Sequence, residues 1–309
     1  MPPLAWLVTV AMSDTAEPSP VYAINPIKMA GAGRTIGTVA ILRTGTVKVE
    51  VKMRDVLSLH DKCGLVVGIA NDHSIAWGCA QAFRAAGAEL AITWLNDKAR
   101  PHVEPLARQL EAAIALVLDV EQAGQLDAVF DAIRTRWGRL DFLLHSIAFA
   151  PKEDLHGRVA DSSREGFARA MDVSCHSFVR MARLAEPLMK QGGSLMTMSY
   201  VGAEEVIPAY GLMGPVKAAL EASVRYLAAE LGPQGIRVNA VSPGPLATRA
   251  ASGIPRFDTL LAQAAQRAPL RRLVDIGEVG ALCAFLAGDG AKAMTGNTLY
   301  VDAGYHVLG

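Results

Sequence analysis

"CGLVVGIANDHSIAWGCAQAFRAAGAELAITW", residues 63–94, sets two short apolar runs on either side of a polar turn and an amphipathic stretch. The first run, 63–70, is too short for a helix and reads as a buried strand, and 74–87 carries a helical period. A second strand follows at 88–94. The same alternation continues with strands at 113–120 and 140–149, helices at 124–138 and about 165–190, and a fifth strand at "GGSLMTMSY". A further helix over 212–232, then "IRVNAVSPGP" and "NTLYVDAG", complete seven strands. Strands this continuously hydrophobic are covered on both faces, which calls for a parallel sheet. The expectation is one α/β domain: a Rossmann-like, doubly wound, seven-stranded parallel sheet with helices on both faces and a ligand at its switch point.

The 309 residues are 51% hydrophobic and 19% charged, with 30 basic against 30 acidic side chains. That supplies a sizeable core and no net charge to recruit nucleic acid or an anionic membrane. No apolar run reaches the roughly 20 residues of a membrane span. Cys63, Cys79, Cys175 and Cys283 lack metal-ligand or disulfide spacing. They read as reduced, buried hydrophobes of a cytoplasmic protein, with no metal expected. Residues 1–55 differ from the rest, being polar and Pro-rich at "SDTAEPSP" and without a settled period afterwards. They are expected to be a disordered extension or sequence upstream of the true start, for which Met53 is a candidate. The folded domain is expected over 56–309.

The turn after the first strand is suited to a pyrophosphate. Gly68 allows close approach, Ser74 opens a helix whose free amides attract anions, and Gly78 would let that helix sit close to the strand. The loop is not GxGxxG, so a plain strand–helix turn remains open. Asp119 and Val120, closing strand three, are placed to hydrogen-bond an adenine ring. His145 reads as a core histidine rather than a catalyst. Ile147 and Ala148 leave room beneath a nicotinamide ribose. Leu95, ending strand two, is neither the acid that accepts from a ribose 2′-OH nor the base that binds a 2′-phosphate. With no base at that strand end, the reading leans to NADH over NADPH.

In "SYVGAEEVIPAYGLMGPVK", residues 199–217, Tyr200 and Tyr210 are ten apart and Lys217 follows Tyr210 by seven. Together with "GIANDHSIAWG", "HSIAFAP", "MDVSCHSFVRMA" and "TGNTLYVDAGY", this stretch resembles the bacterial enoyl-acyl-carrier-protein reductases from about Leu57 onward. These are divergent members of the short-chain dehydrogenase/reductase superfamily, whose ordinary members space Tyr and Lys by four. The resemblance implies NADH-dependent reduction of a trans-2-enoyl chain on acyl carrier protein, in fatty-acid synthesis, by a homotetramer. It implies that Tyr210 contacts the thioester carbonyl, Lys217 holds the nicotinamide ribose and Tyr200 lies beside the acyl chain. Gly68, Ser74, Ile75, Leu95, Asp119, Val120, Ile147 and the run Leu246, Ala247, Thr248, Arg249 and Ala250 match cofactor positions, and Ala150 a substrate position. Pro215 departs from the family pattern and fits only in a helix's first turn.

The wide interval has a chemical reason. Hydride goes to the β-carbon, so charge develops on a carbonyl oxygen two bonds farther away, and the donor must stand back from the nicotinamide. Residues 246–269 form a long connection, read as a lid over the acyl chain. Arg271 and Arg272 read as salt-bridged or solvated, with docking of an acidic carrier protein as the lesser alternative. Two other readings stay open: a carbonyl or alcohol oxidoreductase on this fold, and a dinucleotide-binding paralogue without turnover.

Overall fold

The five residues Cys63–Val67 are all buried and form β1, an inner strand of the sheet. Their side chains alternate between two cores, with Leu65 and Val67 on one face of the sheet and Val66 on the other. The structure is a computed structural model that describes residues 35–36, 51–52, 57–208, 210–246, 248 and 257–308. It divides into units Met1–Val56 and Leu57–Gly309. In the first, Thr35–Ile36 pairs antiparallel with Val51–Lys52. The rest of the expected extension lies outside the described residues.

The second unit holds β1, β2 (Glu89–Trp94), β3 (Ile114–Val117), β4 (Phe142–His145), β5 (Gly193–Met198), β6 (Ile236–Pro243) and β7 (Thr298–Val301). These form one parallel sheet in the order β3-β2-β1-β4-β5-β6-β7, as the alternation predicts. The helices are α1 (Ile75–Ala85), α2 (Arg100–Gln109), α3 (Gln125–Trp137), α4 (Lys152–His156), α5 (Arg164–Met171), α6 (Ser177–Ala185), α7 (Met213–Leu231), α8 (Phe257–Arg267) and α9 (Ile276–Ala287). Residues of α1, α2, α8 and α9 pack with Val66, Ile92 and Met196 in one core. Residues of α3, α5, α6 and α7 pack with Leu65, Leu143 and Leu195 in the other. The order reverses between β1 and β4, which opens a crevice at the carboxyl ends of the strands.

Three expectations need correction. Gly78 does not bring α1 onto the strand. A Cβ there would stand 2.3 Å from the Ile276 carbonyl oxygen, and one on Gly280 would stand 2.4 Å from the Gly78 oxygen. The two glycines let α1 and α9 cross in backbone contact. The predicted helix over 165–190 is interrupted by a π turn at Asp172–His176. There the Ser174 hydroxyl reaches out to the Phe149 carbonyl, and Ser177, just past the turn, donates to the Val173 carbonyl four residues back, a bond that competes with the backbone ladder. Finally, β3 is an edge strand that exposes Val117, not a strand covered on both faces.

Gly280→Ala is expected to lower the unfolding free energy by roughly 1–3 kcal/mol through overpacking at the α1–α9 crossing. Urea denaturation would measure this, and an unchanged midpoint would show that the crossing is slack.

Candidate active site

The site begins where β1 ends. Gly68 has φ +114, and a Cβ there would lie 2.0 Å from the Ser146 carbonyl oxygen at the end of β4. Only glycine fits this position. The chain then turns around Ser74, whose hydroxyl accepts from the Ala70 and Asn71 amides at 3.0 and 3.1 Å. It donates to Asn71 Oδ1 at 3.2 Å. With its side chain committed to the turn, Ser74 caps α1 by backbone alone, and no side chain bonds the helix's first amides. Half-buried Ile75 leads this bare N-terminus, a site for an anion.

Along the strand ends, exposed Leu95 follows β2. Behind it, Arg100 lies over the Trp94 ring and donates to Glu104 at 3.1 Å. Asp119 is already engaged: its amide donates to Gln125 Oε1 at 2.7 Å, and its carboxylate accepts from Glu121 N at 3.0 Å. The Val120 carbonyl accepts from Arg180 at 3.0 Å. Both residues follow β3 at its carboxyl end, with part of their polar groups already engaged within the chain. Ile147 and Ala150 border the second core. Their loop is held by Ser174, which accepts from Phe149 N at 2.8 Å and donates to Phe149 O at 3.0 Å. The Ser174 side chain had no advance signal, because its use depends on the π turn.

Tyr200, Tyr210 and Lys217 come together at the end of β5. Lys217 is 4% exposed, and its Nζ donates to the Met198 carbonyl at 2.6 Å. Burial lowers its pKa to about 8, opposed by nearby Cys175 and Glu221. Tyr210 precedes α7 and is separated from it by Gly211, at φ +49, so the tyrosine and lysine do not share a helix. The Tyr200 and Tyr210 rings meet edge to face, with centroids 4.9 Å apart. A Cβ on Gly202 would lie 2.5 Å from the Tyr210 ring. Burial pushes both phenols well above their ordinary value. The Tyr200 hydroxyl is buried without a hydrogen-bond partner. An orphaned donor, the bare α1 terminus and the glycine-only turn together fit an anionic dinucleotide and a polar acyl group. Pro215 falls in the first turn of α7, as its chemistry requires.

Leu246 is buried, and the half-buried Thr248 donates its amide to the Leu246 carbonyl at 2.8 Å. Ala247, Arg249 and Ala250 lie outside the described residues, as does the expected lid up to 256. The remainder of that segment is largely the helix α8. Arg272 pairs with Glu278 at 2.6 Å within this chain, and Arg271 donates to the Gln266 carbonyl. Two buried groups were missed, Ser199 and Glu221. Glu221 lies one turn beyond Lys217 on the face of α7 that is otherwise apolar, a signal the helical period contained.

A family profile described as Enoyl-(Acyl carrier protein) reductase matches residues 68–306. The chain is 49% identical over 251 residues to the enoyl-[acyl-carrier-protein] reductase [NADH] 1 of Rhizobium meliloti, covering 81% of this chain and 92% of that protein. It is 49% identical over 256 residues to the corresponding NADH enzyme of a Nostoc species, covering 82% and 99%. Among solved structures, the Anaplasma phagocytophilum reductase in complex with NAD superposes with a TM-score of 0.78 at 46% identity, covering 81% and 96%. The Bacillus cereus reductase with NADP+ and an indole naphthyridinone gives 0.79 at 43%, covering 81% and 98%.

His145, fully buried, satisfies the core reading. The Ser177 hydroxyl donates to Val173 O, so it accepts from His145 Nε2–H at 2.8 Å, while His145 Nδ1 accepts from Thr197 at 2.9 Å. Burial, with the Lys217 charge adding, lowers the histidine to about 3. The unfolded chain takes up this proton near pH 6.5, and the folded one does not. Stability is therefore full above about 6.5 and falls as the pH drops toward about 3, by up to roughly 1.4 kcal/mol per unit from this group. His145→Gln is expected to flatten the dependence in urea unfolding at pH 7.0, 5.5 and 4.5. A variant with the wild-type slope would refute the assignment.

Proposed function

This chain belongs to the enoyl-(acyl carrier protein) reductase family, and from that premise we propose that it reduces the 2,3 double bond of a trans-2-enoyl thioester on acyl carrier protein. The observation that carries the reading is the stance of Tyr210: outside the helix and packed edge-on against Tyr200, with Lys217 anchored on the Met198 carbonyl two residues before Tyr200.

NADH, when bound, supplies the hydride. The α1 N-terminus is suited to its pyrophosphate and the Gly68 turn to close backbone approach. The Lys217 ammonium, fixed on the Met198 carbonyl, is suited to hold the ribose hydroxyls. Hydride arrives at the β-carbon, so electron density moves through the conjugated system to the thioester oxygen. The Tyr210 hydroxyl donates to that oxygen and stabilises the enolate. Its raised pKa keeps the phenol protonated, in the form that donates. The α-carbon of the enolate then takes a proton from water, leaving hydroxide to the solvent, which completes the saturated acyl chain. Tyr200, with its unpartnered hydroxyl, borders the acyl group and contributes orientation more than charge. Segment 246–269 is the proposed cover for the acyl chain, and the enzyme is proposed to work in the cytoplasm as a homotetramer.

NADH is the proposed reductant over NADPH. A 2′-phosphate beside Leu95 would meet an apolar side chain, and the nearby Arg100 is already paired with Glu104. The competing carbonyl-reductase reading requires turnover of saturated ketones, which the set-back tyrosine disfavours.

Loss of reduced-nicotinamide absorbance with a trans-2-enoyl thioester is expected to be faster with NADH than with NADPH. Leu95→Arg is expected to narrow the difference. Equal rates in the wild type would remove the cofactor assignment. Tyr210→Phe is expected to cost about 10²–10³ in turnover, the scale of one lost oxyanion donor. Lys217→Ala is expected to cost a comparable amount, and Tyr200→Phe less. Full turnover in the first two variants would defeat the mechanism.

A further inference from the structure

We propose that Glu221 is the positioning residue for Lys217, acting through the Ser199 hydroxyl and the carbonyl of Met198. The inference rests on the reading of Tyr210 and Lys217 as the working pair. Glu221 is 5% exposed, one helical turn beyond Lys217 on the same face of α7. Its carboxylate accepts the Ser199 hydroxyl. Ser199 is itself stitched to β6, its amide donating to the Val241 carbonyl at 2.7 Å. It stands between Met198, whose carbonyl receives Lys217, and Tyr200, which packs on Tyr210. Thr298, on β7, also hydrogen-bonds Glu221. One buried carboxylate thus joins α7 to the ends of β5 and β7 at the peptide that anchors the lysine.

The same carboxylate is a counter-charge. The titratable groups around Lys217 are Cys175 of the π turn, Glu221 of its own helix, and His145 of β4, which is neutral. Around Glu221 stand Glu204, Arg225 and the phenols of Tyr210 and Tyr300. Burial raises the Glu221 carboxyl, and the Ser199 bond draws it back toward ionisation. Burial lowers the ammonium to about 8, with Cys175 and Glu221 opposing. Without the Glu221 charge, burial wins further and Lys217 loses its proton at lower pH.

Glu221→Gln keeps an acceptor for Ser199 and removes the charge, whereas Ser199→Ala keeps the charge and cuts the link. The alkaline limb of kcat/KM reports the free enzyme. In Glu221→Gln it is expected to move down by roughly one pH unit, with the neutral-pH rate within a few-fold of wild type. In Ser199→Ala the limb is expected to stay in place, while the dissociation constant for NADH, from fluorescence titration, rises about 5–10-fold. A purely packing role for Glu221 predicts no limb shift in Glu221→Gln, and that result overturns the proposal. Wild-type NADH affinity in Ser199→Ala overturns it equally, and carries the test if Glu221→Gln does not fold. Lys217→Ala separates the two levels. If it binds NADH and turns over normally, the Tyr–Lys reading falls. If it is impaired while the other two variants are wild-type, only the role of Glu221 falls.

Discussion

A buried ammonium has few ways to be satisfied, and the bond from Lys217 to the Met198 carbonyl shapes much of what surrounds it. Taking a lysine out of water costs several kcal/mol unless its donors and its charge are met. Here the last peptide of β5 meets a donor, and Glu221 and Cys175 favour the charge. To reach that peptide, α7 must lie against the ends of β5 and β6. Its buried face, from Met213 through Val216, Leu220 and Val224 to Leu231, supplies the apolar contact that holds it there. The lysine's position is thus set by the sheet before any ligand arrives.

Tyr210 is governed by the opposite requirement. It must stay clear of the helix, so the chain enters α7 through Gly211 in a left-handed conformation, and Gly202 makes room for the ring. The interval of seven residues is therefore a two-residue turn, Gly211 and Leu212, followed by the helix from Met213 to Lys217, not a stretched helical spacing. Tyr200 fills the other side of the ring and leaves its own hydroxyl without a protein partner. A folded protein tolerates such a buried orphan at a cost, and that cost is common where a ligand is meant to bind.

The sheet was legible because its strands are short, apolar and regularly separated, and β1, β2, β4, β5 and β6 needed no more than that. The strand ends were less so. β3 has the apolar composition of an inner strand and still lies at the edge, because strand order is a property of the crossovers and not of any one run. The π turn hides in a helical period, since Asp172–His176 has no breaker, and the reason for it lies in the Phe149 loop that Ser174 holds. Tyr210 and Lys217 stand out by their interval, and the resemblance to the reductase family supplies the roles proposed for them. Glu221 had a signal, a carboxylate on the buried face of α7, but its link to Ser199 could not be read in advance because the two come from different elements. Asp119 carries a second task that its position at a strand end did not announce: its carboxylate also closes its own turn by accepting from Glu121 N.

The crossing of α1 and α9 has a consequence for synthesis. Gly78 and Gly280 interlock backbone to backbone, although about two hundred residues separate them. Cys79 and Phe83, fully buried in the finished protein, belong to a core that α9 helps to close. While the chain is emerging from the ribosome, the glycine turn after β1 can be made early, and α1 can meet β1, β2 and Phe142, but its backbone crossing with α9 waits until residue 280 appears. Contacts of such long sequence separation are slow to form and leave apolar surface uncovered in the meantime. The outer face of α1, early in the domain, is therefore among the last parts of the protein to be secured.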